Sequence, residues 1–406
     1  DHGESLGAHG ESMHGIFLYD ETIHVPLLFK LPGSLLAGKR VTTRVRLIDV
    51  APTLLSMLSL PLPPTFQGES LVPEMKSSAK ASRDLPAYAE TEYPHRAFGW
   101  AGIRSMRTGK YLYIRAPKRE LYDQTVDKKS DHNLASSSPA VTDTLGSQLD
   151  KFYDDTTSFH GKPQQNTTTA EQNENLAALG YVSSSAVGQS QDPLQGADPK
   201  DKIEISNILH EGMIAVEDGH YNEAIPMLQH VLADSPAITA AQLQLGIALA
   251  RTKRYNEAIP ALKKAIELVP DAVQAKYELA LALYDTGAWN ESVPYFEDVA
   301  KKRPKWVDAQ YSLASVYART KRVEQAVELL NKVLEISPDH FRANLLLGRI
   351  IYLQGDPAAA LLRLEKATQI APNSGEAHSF LADAYSQLGR DTDATRERER
   401  SKSLPR

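Results

Sequence analysis

The sequence has 406 residues, of which 42% are hydrophobic and 24% are charged, so it carries enough apolar side chains for more than one folded domain. Asp and Glu outnumber Lys and Arg by 51 to 45 and no run of five or more basic residues occurs, which argues against nucleic acid as a partner. The sequence has no cysteine for disulfides, thiolate metal ligands or a cysteine nucleophile, and no apolar stretch reaches the roughly 20 residues that span a bilayer.

The first ten residues, Asp-His-Gly-Glu-Ser-Leu-Gly-Ala-His-Gly, bring carboxylates, imidazoles and glycines together. Such a composition is typical of a loop that wraps a metal ion or an anion, because glycines let the backbone approach a ligand while the polar side chains contact it. The composition alone is only suggestive of such a site.

The next elements predict an α/β segment. The apolar run at residues 25–29 predicts a buried strand, and Asp49, followed by Pro52 and apolar residues to position 58, predicts a capped helix. Residues 102–107 and 110–114 flank Thr108-Gly109, the pattern of two antiparallel strands joined by a tight turn. We therefore expect an α/β segment with a small antiparallel sheet over residues 1–135.

Several motifs in this segment share the order found in one enzyme family. They are Asp1-His2-Gly3 with Leu6-Gly7-Ala8-His9, residues 19–21 before residues 25–27, residues 47–55, residues 67–71, and residues 120–123 with 133–135. In type and order they resemble the sulfatase family of the alkaline-phosphatase superfamily. The resemblance implies the last third of a sulfatase catalytic domain.

The resemblance implies a divalent metal site at the start of the chain. Asp1 and His2 match the family's metal ligands, and the ion in that family is usually calcium. The imidazole of His2 leaves zinc and manganese open as alternatives, since calcium prefers oxygen ligands. His9 is either a second donor that orients a metal ligand or a side chain that bonds to the backbone.

His14 stands where many sulfatases place a lysine that contacts the ester oxygens. An imidazole can donate a hydrogen bond but is charged only near or below neutral pH. The substrate class therefore stays open between a sulfate ester, a phosphoester and a phosphonate. A loop histidine without a catalytic role is the alternative interpretation of His14.

The family's nucleophile lies in Cys/Ser-x-Pro-x-Arg and is oxidised to formylglycine, and this motif is absent from the 406 residues. Ser59-Leu60-Pro61 begins it, but Pro63 stands where arginine is required. The sequence starts with Asp1 rather than Met, so we expect a longer parent protein. We also expect this chain to be inactive without the N-terminal half, and the parent to work outside the cytoplasm.

Residues 136–200 are rich in Ser, Thr, Gln, Asn and Asp, a composition that buries little surface and predicts a flexible linker. A helix is predicted near residues 140–152. A second one near residues 171–181 is expected to dock on the sulfatase-like part.

Residues 201–400 repeat with a period of 34. One column consists of prolines, at Pro236, Pro270, Pro304, Pro338 and Pro372. A second column consists of small residues, at Gly212, Gly246, Ala280, Ala314, Gly348 and Ala382. Small residues permit close helix packing, and prolines end each second helix.

This pattern resembles the tetratricopeptide family, which implies an all-α solenoid of five full repeats and a capping hairpin. In such solenoids the first helices line a concave groove that binds a protein or peptide. The predicted groove residues are Arg251, Tyr277, Tyr284, Tyr311, Arg319, Arg349 and Tyr352. Tyr and Arg are common binding anchors; the alternative is a solvated spacer.

Two functions follow from these patterns. The first is a fragment of a metal-dependent sulfatase-type hydrolase whose repeats recruit a partner or a second copy. The second is a non-catalytic binding scaffold with a degenerate sulfatase remnant.

Overall fold

A computed structural model of the chain describes residues 2–76, 85–159 and 192–404. The described residues form two compact units: the N-terminal unit ends at Glu211, and the repeat unit begins at Gly212. This agrees with the predicted fold class, an α/β segment followed by an all-helical solenoid. The predicted domain bounds of 1–135, 136–200 and 201–400 stay predictions.

The N-terminal unit contains one antiparallel sheet in the order β1-β2-β3-β4. Its strands are β1 Ala87–Thr91, β2 Ile103–Thr108, β3 Tyr111–Arg115 and β4 Glu120–Asp123. Strands β2 and β3 form the predicted hairpin, with Thr108 opposite Tyr111. Gly109 has a φ of 52°, a left-handed conformation that glycine adopts without a Cβ penalty.

Within the described residues, five α-helices accompany this sheet: α1 Asp20–Ile23, α2 Val50–Met57, α3 Val72–Lys76, α4 Tyr93–Phe98 and α5 Pro139–Phe159. Helix α5 packs on the sheet, where Leu145 and Leu149 are buried with Tyr113 and Leu121. It includes the helix predicted near residues 140–152, so this part of the predicted linker is folded. The second predicted helix, at residues 171–181, lies outside the described residues.

Two local expectations in the N-terminal unit are wrong. Residues 25–29 form no strand, Leu28 is 85% exposed, and none of the four described strands pairs with this run. An extended segment is stabilised as a strand only when a neighbouring strand forms hydrogen bonds with it, so the apolar run by itself does not produce a strand. Asp49 precedes α2 but does not cap it, because its carboxylate accepts hydrogen bonds from Arg46 at 2.8 and 3.0 Å.

Residues 192–201 pack against the sheet region of the N-terminal unit. The backbone N–H of Ala101 donates to the carbonyl of Ala197 at 2.9 Å, and that of Gly102 donates to Pro193 at 2.6 Å. The backbone N–H of Lys118 donates to the Asp198 carboxylate at 2.7 Å. This stretch therefore belongs to the folded unit despite its polar composition.

Twelve helices follow: α6 Ile203–Glu217, α7 Tyr221–Asp234, α8 Thr239–Arg251, α9 Tyr255–Leu268, α10 Val273–Asp285, α11 Trp289–Lys302, α12 Val307–Arg319, α13 Val323–Ile336, α14 Phe341–Leu353, α15 Pro357–Ile370, α16 Gly375–Gln387 and α17 Asp391–Ser403. They alternate as first and second helices of successive hairpins. A Cβ at Gly246 would lie 2.5 Å from Leu262, which explains the predicted small-residue column.

A further periodic contact joins the repeats, and the sequence analysis missed it. The side chains of Gln242, Asn344 and His378, six residues after a repeat-ending proline, each donate to that proline's carbonyl. These bonds satisfy a carbonyl that no helical N–H can reach at the end of a helix. Each one ties the start of a first helix to the end of the preceding repeat.

Asp123, at the end of β4, makes the sheet sensitive to acid. The Lys110 ammonium at 2.5 Å and hydrogen bonds from Thr125 lower the pKa of Asp123 to about 2 from its ordinary 3.8. The pKa of Asp123 is lower in the folded state than in the unfolded state. Its ionised carboxylate therefore stabilises the folded state above pH 3.8, and this stabilisation is lost as pH falls through about 2. We expect Asp123→Asn to lower the melting temperature near neutral pH.

Thermal melts of the parent and Asp123→Asn between about pH 6 and pH 2 test this expectation, and the difference in melting temperature should shrink toward zero at the acidic end. Asp143→Asn, which removes the same charge from an exposed pair with Arg119, is the control. A difference for Asp123→Asn that stayed constant across the range would contradict the assignment.

Candidate functional sites: a histidine cluster and a helical groove

Three side chains near the start of the chain form a cluster. The rings of His2 and His14 stack with centroids 4.0 Å apart, and Nδ1 of His14 lies 2.9 Å from Oε1 of Glu4. One potential ligand atom from each of His2, Glu4 and His14 lies within 4.8 Å of the other two. His2 and Glu4 are exposed and His14 is half-buried, so the cluster opens to solvent.

A buried carboxylate holds the loop that carries this cluster. Oε1 of Glu11 accepts from the backbone N–H of Ile16 at 2.7 Å, and Oε2 accepts from the Ser5 hydroxyl at 2.9 Å. Burial raises the pKa of Glu11, and these hydrogen bonds oppose the shift. Gly7 and Gly10 have φ values of 91° and 82°, which let the loop turn back on itself.

The other predicted residues of this region do not join the cluster. His9 stacks on Tyr19 with centroids 3.6 Å apart, and its Nε2 lies 3.0 Å from the carbonyl oxygen of Lys129. It therefore contacts the backbone, one of the two roles predicted for it. Asp1 lies outside the described residues, while Glu4 is a cluster member that the sequence analysis did not single out.

The donor set can be compared with what metal ions prefer. Two imidazole nitrogens and one carboxylate oxygen suit zinc, manganese or another transition metal, whereas calcium prefers oxygen ligands alone. His2 and Glu4 thus offer donors for a divalent ion, and His14 lies where it can either complete the set or contact an anion beside the ion. The imidazole nitrogens favour a transition metal.

The second candidate site is a groove in the repeat unit with a volume of about 540 Å³. Four of the seven predicted groove residues line it: Tyr284, Tyr311, Arg319 and Arg349. The hydroxyls of Tyr284 and Ser315 are 2.9 Å apart, and the guanidinium of Arg319 lies 5.2 Å from the ring centroid of Trp289. These contacts restrict the rotamers of the lining side chains.

The other three predicted groove residues are placed elsewhere in the repeat unit. Arg251 pairs with the buried Glu278 at 3.1 Å, and Tyr277 packs on Trp306 with centroids 4.4 Å apart. The hydroxyl of Tyr352 accepts a hydrogen bond from Gln387 at 2.9 Å. Each of these three side chains makes a contact within the protein.

The groove also contains residues that sequence reasoning missed. Beside the predicted Arg349, helix α14 contributes Phe341, Arg342, Leu345 and Leu353. Positions 342, 345, 349 and 353 lie three or four residues apart and so share one helix face. That spacing was visible in the sequence and could have identified them.

Comparison with known protein families gives matches of two kinds. Residues 8–155 match the family described as N-sulphoglucosamine sulphohydrolase, C-terminal. Residues 209–273, 253–296, 277–341 and 352–397 match models of the tetratricopeptide repeat. The chain carries the C-terminal part of a sulfatase domain followed by tetratricopeptide repeats. His14 falls within the matched sulfatase range, and His2 and Glu4 precede it.

Curated relatives agree with the sulfatase match. Arylsulfatase K of Mus musculus is 30% identical over 159 residues, which are 37% of this chain and 28% of the relative. The uncharacterized sulfatase YidJ of Escherichia coli (strain K12) is 27% identical over 164 residues, 38% of this chain and 32% of the relative. The chain thus spans less than a third of the length of either one.

Among solved structures, MamA 41-end from Desulfovibrio magneticus RS-1 is 21% identical, with a TM-score of 0.40 over 41% of this chain and 94% of that one. No helix within the described ranges combines the length and the apolar character needed to cross a membrane. The tetratricopeptide repeats suggest protein partners.

Proposed function

We propose that the complete protein is a metal-dependent hydrolase of sulfate esters whose tetratricopeptide array brings a protein partner to the enzyme. The observation that carries the proposal is the convergence of His2, Glu4 and His14 on one open loop at the start of the sulfatase region. Phosphoesters and phosphonates are alternative substrates, because His14 replaces the lysine common in sulfatases.

The residues of the loop have distinct roles in this proposal. His2 and Glu4, with Asp1, would hold the divalent ion, which polarises ester oxygens and balances negative charge when bound. Glu4 accepts a hydrogen bond from Nδ1 of His14. Nε2 of His14 then donates to an ester oxygen only when the ring is an imidazolium. Glu11 fixes the conformation of the loop through its hydrogen bonds with Ser5 and Ile16.

Activity assays test the hydrolase proposal. The complete protein, with its upstream region, is expected to hydrolyse p-nitrophenyl sulfate faster than p-nitrophenyl phosphate or a phosphonate monoester. The 406-residue chain alone is expected to show no measurable rate, since the nucleophile motif is absent from its sequence. His14→Ala in the complete protein should lower kcat by about 100- to 1000-fold, the usual loss of one anion-stabilising donor.

His132→Ala is the matched control, because that imidazole is exposed, lies 3.9 Å from Asp127 and is not a member of the cluster. Its rate should equal that of the parent. A complete protein that is folded yet inactive on all three esters would overturn the hydrolase proposal. That result would favour the second candidate, a binding scaffold with a sulfatase-derived remnant.

A further inference from the structure

The groove of the repeat unit has a strongly asymmetric charge. Arg319, Arg342 and Arg349 line it, whereas Glu376 is its single lining carboxylate. Arg349 and Glu376 are 3.4 Å apart and both reach solvent, so this pair is weak. In the part of the chain that the structure describes, no carboxylate lies within ion-pair distance of Arg319 or Arg342. Two full positive charges therefore face the groove.

The electrostatic field of these arginines extends into the groove. Burial raises the pKa of Tyr311, and the positive charges of Arg342 and Arg349 oppose that shift. A positive field that reaches a half-buried hydroxyl also reaches any ligand lying on it. Arginine suits carboxylates well, because its planar fork donates two parallel hydrogen bonds.

The groove offers apolar surface between the charges. Tyr284, Tyr311 and Phe341 line it as partly buried rings, and Leu353 is 70% exposed at its edge. The hydroxyls of Tyr284 and Ser315 are in hydrogen-bond contact, so this ring is held in place before a ligand binds. Pre-ordered aromatic side chains lose little conformational entropy on binding, which makes them effective anchors.

We propose that this groove binds an extended acidic peptide, with carboxylate side chains on Arg319, Arg342 and Arg349 and an aromatic or leucyl side chain on Tyr284, Tyr311 and Phe341. The inference rests on the scaffold role proposed above and adds the chemical class of the ligand. Single-stranded nucleic acid would also meet the arginines. A protein partner is favoured because the groove belongs to an array of tetratricopeptide repeats, which suggest protein partners, and because the forked guanidinium of arginine matches a carboxylate.

Fluorescence anisotropy with the full 406-residue chain tests the proposal. The probe is a fluorescein-labelled peptide, Asp-Glu-Phe-Asp-Glu-Leu-Asp-Glu, with an amidated C-terminus so that all negative charge comes from the side chains. Its Asn/Gln counterpart keeps the apolar residues and removes the charge. The acidic probe is expected to bind at least about tenfold more tightly, and more weakly as salt is raised.

Variants locate the binding. Arg342→Gln should weaken the acidic probe by about tenfold, and Arg319→Gln with Arg342→Gln by more, while the neutral peptide is little affected. Lys263→Gln removes one positive charge from an exposed position on α9 outside the groove and is the matched control. Circular dichroism confirms that each variant keeps its helices.

Each contrary result has a separate meaning. Equal affinity for the two peptides, no binding of the acidic probe, or equal effects of Arg342→Gln and Lys263→Gln would overturn the acidic-ligand proposal. A 12-nucleotide single-stranded DNA that displaced the probe at lower concentration would do the same and favour nucleic acid. An inactive complete protein that still bound the acidic probe would overturn only the hydrolase proposal.

Discussion

Glu120→Ala is expected to destabilise the N-terminal unit by about 3–5 kcal/mol, the usual cost of removing one partner from a buried charged network. Glu120 is 3% exposed. It accepts hydrogen bonds from the hydroxyls of Tyr19, at 2.7 Å, and Tyr122, and its other oxygen pairs with the Lys200 ammonium. The substitution leaves two buried hydroxyls and an ammonium without this acceptor.

The same network shows why residues 192–201 are folded onto this unit. Burial, with the neighbouring carboxylate of Glu120, raises the pKa of Tyr19 and of Tyr122 above that of an ordinary tyrosine. Both hydroxyls therefore keep their protons at neutral pH and act as donors. Lys200 brings the third donor from the connecting segment, so loss of Glu120 should also release that segment.

Hydrogen exchange followed by mass spectrometry measures the effect in the intact chain. In Glu120→Ala, the amides of β4 and of Ala101, which donates to Ala197, should exchange about 100-fold faster or more. Asp143→Ala, which removes an exposed carboxylate paired with Arg119, should change exchange by no more than a few-fold. Equal exchange rates in the two variants would show that Glu120 stabilises this unit no more than the exposed Asp143 does.

Glu397→Ala is expected to detach the last helix of the repeat array. Glu397 and His378 are 5% and 3% exposed, and Oε2 of Glu397 lies 2.6 Å from Nδ1 of His378. In α17 only Ala394 and Glu397 are buried among the described residues. Breaking a buried pair costs about 3–5 kcal/mol, which the burial of one alanine cannot offset.

The positions of the protons explain why His378 and Glu397 depend on each other. Nε2 of His378 lies 2.9 Å from the carbonyl of Pro372, an acceptor, so Nε2 carries a proton. The contact between Nδ1 and Glu397 then needs one further proton, held by either partner. Removing the carboxylate leaves Nδ1 buried with no partner to share that proton.

Exchange kinetics and a rescue variant check this expectation. Amides of α17 in Glu397→Ala should lose most of their protection, and far-UV circular dichroism should lose about one helix of signal. Arg398→Ala, which removes an exposed partner of Asp383 at 3.4 Å, should leave both unchanged. The double variant His378→Leu with Glu397→Met should recover docking, since apolar replacement of both members removes the unpaired charge. Full protection of α17 in Glu397→Ala would contradict the assignment.

Much of the site geometry was beyond sequence reasoning. The resemblance to sulfatases implied His2 at a metal site and His14 near the ester oxygens, but Glu4 entered the cluster only because the loop held by Glu11 turns back on itself. The resemblance to tetratricopeptide repeats placed seven side chains along the repeat groove. Four line its cavity, and the others pair with Glu278, Trp306 and Gln387 instead.

The sequence by itself determined the two-part architecture of this protein. A period of 34 residues and an ordered set of sulfatase motifs are local signals, because small residues, prolines and turn glycines act on their own backbone or nearest neighbours. Only the tertiary structure decided that residues 25–29 form no strand, that Lys200 completes the Glu120 network, and that Arg319 and Arg342 lie in one groove. These outcomes depend on which groups meet across long sequence distances, and desolvation and charge pairing there outweigh local preference.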